Sequence, residues 1–389
     1  MWWNRNRSQN TPKIALILSG GGARAAYQVG VLQAIADLVP KDTPNLFPIV
    51  CGTSAGAINA AAIAIFAQHF REAIWRLVHV WANFHVTQVF RADSLGLTKS
   101  GLHWLAAILA GGLGKRNPVS LLDRTPLFQL LGPRLPFENI QKNIDADLLH
   151  ALSITASSYQ TGHSVAFYQG VEDIAPWHKS NNVGVPTSIK LNHLMGSSSI
   201  PFLFEAVQIG QQFYGDGSMR QTNPLSPAMR LGADKTFVIG VKAESDAEDT
   251  KEQPAAYPTL GQIGGQVLDS IFLDNMDLDL ELMQGINHTL KQIPERHIPE
   301  DSRIVRKVES MSISPSQDIF RIAAKHTHLL PKQVRFILKG VGASGGRGAN
   351  LISYLLFEKA FCRELITLGY SDSMNRKEEI IDFLEINNE

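Results

Sequence analysis

The chain has 389 residues, of which 44% are hydrophobic and 19% charged, so it can bury a large core as one large domain or two ordinary ones. Lys and Arg together number 36, as do Asp and Glu, and this balance argues against a dedicated nucleic-acid-binding protein. The two cysteines, Cys51 and Cys362, imply no disulfide framework and fit a reducing, cytoplasmic compartment.

Neither a signal peptide nor a membrane-spanning segment is predicted. Residues 1–13 lack the apolar core that a secretory signal requires. The longest nearly uncharged apolar run, GLHWLAAILAGGLG at 101–114, is shorter than the ~20 residues that cross a bilayer as a helix. We therefore expect a soluble protein, or one that binds a membrane peripherally.

A glycine-rich loop separates the first predicted strand from the first predicted helix. Residues 13–18 form a short apolar run, 19–24 read SGGGAR, and 25–38 carry apolar residues at helical spacing. Such a loop offers free backbone N–H groups beside a helix N-terminus, which suits either a phosphate or an oxyanion. The spacing Gly20-x-Gly22-x-x-Ala25 also matches a relaxed dinucleotide-binding pattern.

A second motif, GTSAG, lies between a strand predicted at 47–51 and a buried helix predicted at 55–66. G-x-S-x-G between strand and helix is typical of a nucleophile elbow, whose glycines permit a sharp reversal and leave Ser54 at the tip. A dinucleotide site would need an acidic residue at the end of this strand, where Cys51 and the elbow stand instead. We therefore interpret the glycine loop as an oxyanion hole.

The middle of the chain alternates predicted helices and strands. Residues 88–145 are predicted to be irregular, and Asp216 is predicted on a turn after a hairpin. His79 and His85 have no partner at metal-ligand spacing, so no metal site is predicted. The predicted elements are helices at 71–83, 191–199 and 223–232, and strands at 149–159, 163–168, 205–209, 212–214 and 235–241.

A polar run at 244–253, ESDAEDTKEQ, is the predicted boundary between a catalytic domain at 12–243 and a mainly helical region at 254–389 that packs on it. Residues 266–283 carry five acids and no base, whereas 303–347 carry nine bases and two acids. These charges indicate either solvated helix faces or, for the basic stretch, a face for anionic lipid. Membrane contact is expected at 104–113 or 321–339.

Four sequence blocks together resemble the patatin-like phospholipase family. They are SGGGARAAYQVGVL from Ser19, GTSAG from Gly52, SSSIPFLFEAV from Ser197, and Asp216-Gly217-Ser218. The family usually has glycine where this chain has Ala25, and Gly or Ala where it has Ser218. The resemblance implies an α/β fold, a three-layer α/β/α sandwich with a central, mostly parallel sheet, here followed by the helical C-terminal region.

The resemblance also implies a serine lipid acyl hydrolase that needs no cofactor or metal and acts on a lipid or phospholipid. Ser54 would attack the ester carbonyl, and Asp216 would accept its proton without an intervening histidine. Because the reference pKa of Asp is ~3.9, this works only if burial raises the pKa of Asp216. Arg24 would bind a substrate phosphate, hold the loop or form a salt bridge. The implied oxyanion donors are the backbone amides of Gly20, Gly21 and Gly22.

Two alternatives remain open. One is an α/β-hydrolase with a Ser-His-Asp triad, although its elbow follows several strands and not the second strand as here. The other is a non-catalytic membrane-associated scaffold that retains the fold, although the intact Ser54 and Asp216 argue against it. The late histidines that could complete a triad are His288, His297, His326 and His328.

Overall fold

The computed structural model describes residues 12–91, 120–243, 257–293, 307–340, 342 and 349–386. The described strands are β1 (Ile14–Leu18), β2 (Ile49–Thr53), β3 (Ala151–Ser158), β4 (Ser164–Gly170), β5 (Trp177–Lys179), β6 (Asn182–Pro186), β7 (Val207–Ile209), β8 (Gln212–Asp216), β9 (Lys235–Ile239) and β10 (Glu309–Ile313). They form one sheet in the order β10-β9-β1-β2-β3-β4-β6-β5, with β8 paired to both β3 and β7. The run from β10 to β3 is parallel, and antiparallel pairs follow at the β4 side.

Helices cover both faces of this sheet. The described α-helices are α1 (Ala26–Asp37), α2 (Ala55–Ile65), α3 (Phe70–Trp81), α4 (Thr125–Leu131), α5 (Glu138–Asp145), α6 (Leu191–Ser197), α7 (Ser226–Arg230), α8 (Leu260–Phe272), α9 (Asp274–Leu290), α10 (Ile319–His326), α11 (Lys332–Gly340), α12 (Ala349–Leu355), α13 (Lys359–Asn375) and α14 (Lys377–Leu384). None of them is long and apolar enough to cross a bilayer.

The two faces of β1 belong to two separate hydrophobic cores. Leu16 and Leu18 pack into the larger core with α1, α2, α3 and α13, whereas Ala15 and Ile17 face the smaller core with α7 and α9. A strand that is buried on both faces reads as a continuous apolar run, as the sequence of β1 does. The predicted three-layer α/β/α fold with a mostly parallel sheet is therefore confirmed.

The register of the central strands brings the two sequence motifs to one edge of the sheet. Leu18, just before the glycine loop, lies opposite Gly52, and Thr53 lies opposite Thr155. On the same side of β3, just beyond the end of β2, Asp216 lies opposite Ala156. The glycine loop, the elbow and Asp216 therefore meet at the carboxyl end of the parallel strands, where α/β folds place their sites.

Several sequence predictions of secondary structure were wrong. Residues 88–145 were predicted to be irregular, yet α4 and α5 lie there. The strands β5 and β6 were missed because they are short and half-exposed, so they lack an apolar run. The strand β10 was missed because the sequence around it, 303–347, is rich in basic residues and was predicted to be mainly helical. The acidic stretch 266–283, in the region predicted to be mainly helical, spans parts of two helices, α8 and α9, that meet at Leu273.

Element bounds also differ near the site. The strand β2 continues two residues past its predicted end, through Gly52 to Thr53. The helix predicted from Asn223 begins at Ser226, because Asp279 accepts hydrogen bonds from the Asn223 side chain and the Leu225 amide. The apolar run at 101–114, the polar run at 244–253 and His297 lie outside the described residues.

Close backbone contacts join the C-terminal helices to the first helix of the chain. A Cβ atom on Gly30 of α1 would lie 2.0 Å from the carbonyl oxygen of Ile366 in α13, and one on Gly369 would lie 2.3 Å from that of Tyr27. The strand β10 also extends the sheet by pairing with β9. The boundary between 12–243 and 254–389 stays a prediction, and the two parts share a core.

We predict that Gly30→Ala and Gly369→Ala each destabilise the protein. The added methyl group meets backbone atoms that cannot rotate away, so α1 and α13 must separate, at a cost of about 1–3 kcal/mol. The matched control is Gly264→Ala in α8, where the new Cβ has no atom within 4 Å apart from its chain neighbours and the backbone of its own helix. That variant should gain about 0.5–1 kcal/mol from helix propensity. Urea unfolding measures all three, and equal behaviour of Gly30→Ala and Gly264→Ala would contradict the prediction.

Candidate active site

Ser54 lies at a tight turn between β2 and α2. Its φ of 56° and ψ of −127° are unusual for a residue with a side chain, as expected for the strained turn of an elbow. A Cβ atom on Gly56 would lie 2.3 Å from the carbonyl oxygen of Leu18, and one on Gly52 would lie 2.5 Å from that of Gly56. The motif glycines thus allow α2 to start directly against the end of β1.

The hydroxyl of Ser54 donates a hydrogen bond to Asp216, with 2.6 Å between Oγ and Oδ2. Asp216 is the last residue of β8, and its other carboxylate oxygen accepts from the amide of Ser218 at 3.0 Å. Ser54 is 2% exposed and Asp216 is 0% exposed. The structure brings Ser54 and Asp216 together, with no side chain between them.

Burial controls the charge state of Asp216. Removal from solvent raises the pKa of this carboxyl from its ordinary value of 3.8 to about 6. The hydrogen bonds from Ser54 and Ser218 and the positive charge of Arg124 oppose this rise. The carboxylate is therefore ionised at neutral pH and more basic than an exposed Asp.

The turn at 195–199, formed by the last residues of α6 and the two residues after it, supports both Ser54 and Asp216. The Ser54 amide donates to Ser197 Oγ at 2.9 Å, and the Asp216 amide donates to the Ser199 carbonyl at 2.8 Å. Arg124 lies behind this turn, 2% exposed, and donates to its oxygens. Sequence reasoning missed Arg124, because no local pattern marks an arginine whose partners come about 70–80 residues later.

The glycine loop lies against the nucleophile. A Cβ atom on Gly20 would lie 3.1 Å from the Cβ of Ser54. Within the described residues, the amides of Gly20, Gly21 and Gly22 donate no hydrogen bond, and neither do those of Ala55 and Gly56 at the start of α2. The two α2 amides are donors that the sequence analysis did not name, although a nucleophile elbow commonly uses the amide after its serine.

Arg24 is buried and turned toward the C-terminal helices. It donates to Ser353 Oγ at 2.7 Å and to Asn350, and it pairs with Asp269 at 3.4 Å. Its guanidinium also lies 4.1 Å from the ring centre of Tyr354. These contacts favour the predicted role of holding the loop, and a role in binding substrate phosphate stays a prediction.

No histidine in the described part of the chain hydrogen-bonds to Ser54 or Asp216. His326 instead contacts Glu364 at 2.6 Å, His288 contacts Gln292, and His328 contacts a backbone carbonyl. The described residues also bring no three His, Cys, Asp or Glu side chains together in a metal-binding arrangement.

An apolar cavity of ≈ 200 Å³ reaches Ser54. One wall is a single face of α2 and its end, formed by Ala55, Ile58, Ala62 and Phe66. Side chains of α3 and α4 and residues near Phe204 and Tyr354 line the rest, and Trp75 of this lining is exposed. An apolar cavity of about 150 Å³ already holds a benzene ring, so this one accepts a hydrocarbon group.

We predict that Asp216→Asn stabilises the protein at pH 8. The unfolded chain releases this proton near pH 3.8 and the folded protein only near 6, so ionisation costs the folded state about 3 kcal/mol above pH 6. The contribution of Asp216 to the free energy of unfolding therefore falls as the pH rises from 3.8 to about 6. The asparagine variant should gain roughly 1–3 kcal/mol at pH 8 and nothing near pH 4.

Denaturant unfolding at both pH values measures this gain. The exposed Asp382→Asn is the matched control and should change stability at neither pH. A gain for Asp216→Asn that is equal at the two pH values would show that charge burial is not its cause.

Comparison with known proteins gives the family. The family model described as patatin-like phospholipase matches residues 16–229, more than half of the chain. The cGAMP-activated phospholipase of Pseudomonas aeruginosa is 21% identical over 320 residues, which are 78% of this chain and 84% of that one.

Two further matches are more limited. The triacylglycerol lipase ptl3 of Schizosaccharomyces pombe is 44% identical over 71 residues, 18% of this chain, so the match spans only 13% of that relative. The crystal structure of VipD from Legionella pneumophila aligns with 96% of this chain and 67% of its own, with 12% identity and a TM-score of 0.37. On the family match, the chain belongs to the patatin-like phospholipases, lipid acyl hydrolases that cleave carboxylic esters.

Proposed function

We propose that the protein hydrolyses long-chain acyl esters of lipids through an acyl-enzyme on Ser54, with Asp216 as general base. The observation that carries this proposal is the 2.6 Å hydrogen bond from Ser54 Oγ to the buried Asp216 carboxylate. Neither a phospholipid nor a triacylglycerol substrate is favoured by these residues, and the two relatives' names differ in this respect.

In the first half-reaction, Ser54 Oγ attacks the ester carbonyl carbon while its proton passes to Asp216 Oδ2. The tetrahedral intermediate then collapses, and the same proton leaves with the alcohol. In the second half-reaction, water attacks the acyl group, Asp216 takes the water's proton, and it returns the proton to Ser54. A pKa of about 6 makes Asp216 a stronger base than an exposed Asp while leaving it ionised at neutral pH.

The negative charge of the tetrahedral intermediate needs hydrogen-bond donors. The free amides of Gly20, Gly21 and Gly22 lie beside Ser54, together with those of Ala55 and Gly56 at the N-terminus of α2. The positive end of the α2 dipole supports the same charge. We propose these amides as the oxyanion hole, which in other hydrolases contributes about 10²–10³-fold per donor.

The apolar cavity is the proposed site for the acyl chain. From Ala55 to Phe66 the lining face of α2 extends about 16 Å, at ~1.5 Å per residue. With carbon–carbon bonds of ~1.5 Å, an extended hydrocarbon advances ~1.3 Å per carbon, so this wall matches about 12 carbons. A cavity of this length supports a lipid substrate over a small soluble ester.

The contacts of the histidines weaken the triad alternative, because His288, His326 and His328 are engaged away from Ser54. A scaffold without activity would not need an ionised carboxylate held against the strained Ser54. Ester hydrolysis by Ser54 and Asp216 is therefore the function that the geometry supports best.

We also propose that α11 contacts anionic lipid surfaces. Lys332, Arg335 and Lys339 are exposed on one face with Phe336, which is 79% exposed, and they pair with no carboxylate among the described residues. Each such cation adds ~1 kcal/mol of attraction to an anionic membrane.

Charge reversal at Lys332, Arg335 and Lys339 should reduce co-sedimentation of the protein with anionic vesicles. Binding that depends neither on salt nor on these charges would contradict the proposal.

We predict that Ser54→Ala abolishes ester hydrolysis and labelling by a fluorophosphonate probe, while Ser310→Ala changes neither. Asp216→Asn should lower both rates by about 10³-fold or more, because the general base is gone. Alanine at His288, His297, His326 or His328 should keep activity within about tenfold. Labelling that survives in folded Ser54→Ala protein would refute the nucleophile, and a histidine variant as inactive as Asp216→Asn would favour the triad.

We predict that Ala62→Phe shortens the accepted acyl chain. Ala62 lies about 10 Å along α2 from Ala55, so a phenyl ring there should stop the chain after about eight carbons. Hydrolysis of p-nitrophenyl palmitate should fall at least about tenfold, while the butyrate ester changes less than about threefold. The butyrate rate of the same variant is the control for folding, and equal losses on both esters would contradict the assignment of the cavity.

A further inference from the structure

We propose that Arg124 is a positioning residue for this reaction: it holds the turn at 195–199 on which Ser54 and Asp216 rest, and its buried charge favours the ionised form of Asp216. This inference rests on the proposed roles of Ser54 and Asp216. It concerns a residue outside the motifs that mark the family in this sequence.

The guanidinium of Arg124 is fixed on several sides. Nη1 donates to the Met195 carbonyl at 2.9 Å and to Ser198 Oγ at 3.2 Å. Nη2 donates to Ser199 Oγ at 2.7 Å and to the Glu205 carbonyl at 3.2 Å. Four hydrogen bonds from one rigid plane thus hold the C-terminal end of α6 and the two residues after it in a fixed shape.

The same turn holds the two reacting residues by their backbones. Ser197 Oγ accepts from the amide of Ser54 and donates to the Thr155 carbonyl at 2.6 Å, so it joins the elbow to β3. The Ser199 carbonyl accepts from the amide of Asp216 at 2.8 Å. A shift of the turn would therefore change the separation of Ser54 Oγ and Asp216 Oδ2 from both ends.

The charge of Arg124 has a second effect. All of its hydrogen-bond acceptors are neutral, and a buried cation without a counter-charge is costly. Burial lowers its pKa to about 10, which leaves it charged, and the negative charges that oppose this shift are Glu205 and Asp216. Glu205 has the larger of these two effects on Arg124, but it is exposed and screened by solvent, whereas Asp216 is fully buried.

The other groups that face Asp216 do not compete with Arg124. Ser54 and Ser218 contribute neutral hydrogen bonds. Burial and the charge of Asp216 raise the pKa of Tyr159, so this phenol stays neutral while Asp216 titrates. Arg124 is the cation whose charge lowers the pKa of Asp216.

The test compares Arg124→Gln, which keeps hydrogen-bond donors without charge, with Arg124→Lys, which keeps charge without the planar fork. The rate of Ser54 labelling by a fluorophosphonate is measured over roughly pH 4.5–9, since its acid limb reports the ionisation of Asp216. We expect the limb of Arg124→Gln to move up by about half a pH unit and its plateau to fall at least about tenfold. Arg124→Lys should keep the acid limb of the labelling rate at the wild-type pH, while the maximal labelling rate at higher pH falls.

Arg91→Met is the matched control. Arg91 is an exposed arginine that pairs with Asp123, next to Arg124 in sequence, and its loss should leave both limb and plateau unchanged. An unmoved limb in Arg124→Gln, or a limb displaced equally in Arg124→Lys, would overturn the inference, because only a structural role would remain.

If Arg124→Gln does not fold, Ser199→Ala decides the matter, since it removes the shortest guanidinium contact and leaves the charge in place. A lowered plateau with an unmoved limb is the expected result, and a wild-type plateau would overturn the inference. Failure of the proposed function itself is distinguishable, because Ser54→Ala or Asp216→Asn would then still be labelled.

Discussion

The hydrogen bond from Ser54 to Asp216 joins two side chains that are almost excluded from solvent. Its geometry depends on the strands, loops and helices packed around it. A carboxylate in this position is costly, because burial raises its pKa to about 6 and the folded protein carries the charge at neutral pH. In the proposed reaction the raised pKa of Asp216 is useful, because a more basic carboxylate can take the serine proton without a histidine. Stability is thus lower at the point where the chemistry is proposed.

Three constraints keep the two oxygens together. The sheet register sets Thr53 opposite Thr155 and Asp216 opposite Ala156. Ser54, which follows Thr53, and Asp216 therefore both lie beside the same end of β3. The glycines of the elbow let α2 begin against the carbonyl groups of β1. The turn at 195–199, supported by Arg124, holds the backbone amides of Ser54 and Asp216. Each constraint comes from a different part of the chain, so the site depends on the whole fold.

The sequence predicted those features that a short pattern with fixed spacing encodes. GTSAG between a strand and a helix, the SGGGAR loop and Asp216-Gly217-Ser218 identified the family, the sheet class and the pair of residues that meet. Long apolar runs such as β1 and α2 were also clear, because both are buried on nearly every side.

Features that depend on distant contacts could not be predicted in this way. The partners of Arg124 follow it by about 70–80 residues, and Gly30 is explained only by Ile366 of a helix near the end of the chain. The apolar cavity combines faces of α2, α3 and α4, none of which marks a cavity alone. The short strands β5 and β6 are half-exposed, so their hydrophobic pattern is weak.

The most direct test of the two-residue mechanism is a crystal structure of the protein after reaction with a fluorophosphonate. We expect phosphorus bonded to Ser54 Oγ, with Asp216 beside it and no histidine within hydrogen-bonding distance. The phosphoryl oxygen should accept from free amides of the Gly20–Gly22 loop or the start of α2, about 2.7–3.1 Å away. An adduct on another residue, or a histidine bridging Ser54 and Asp216, would contradict the account.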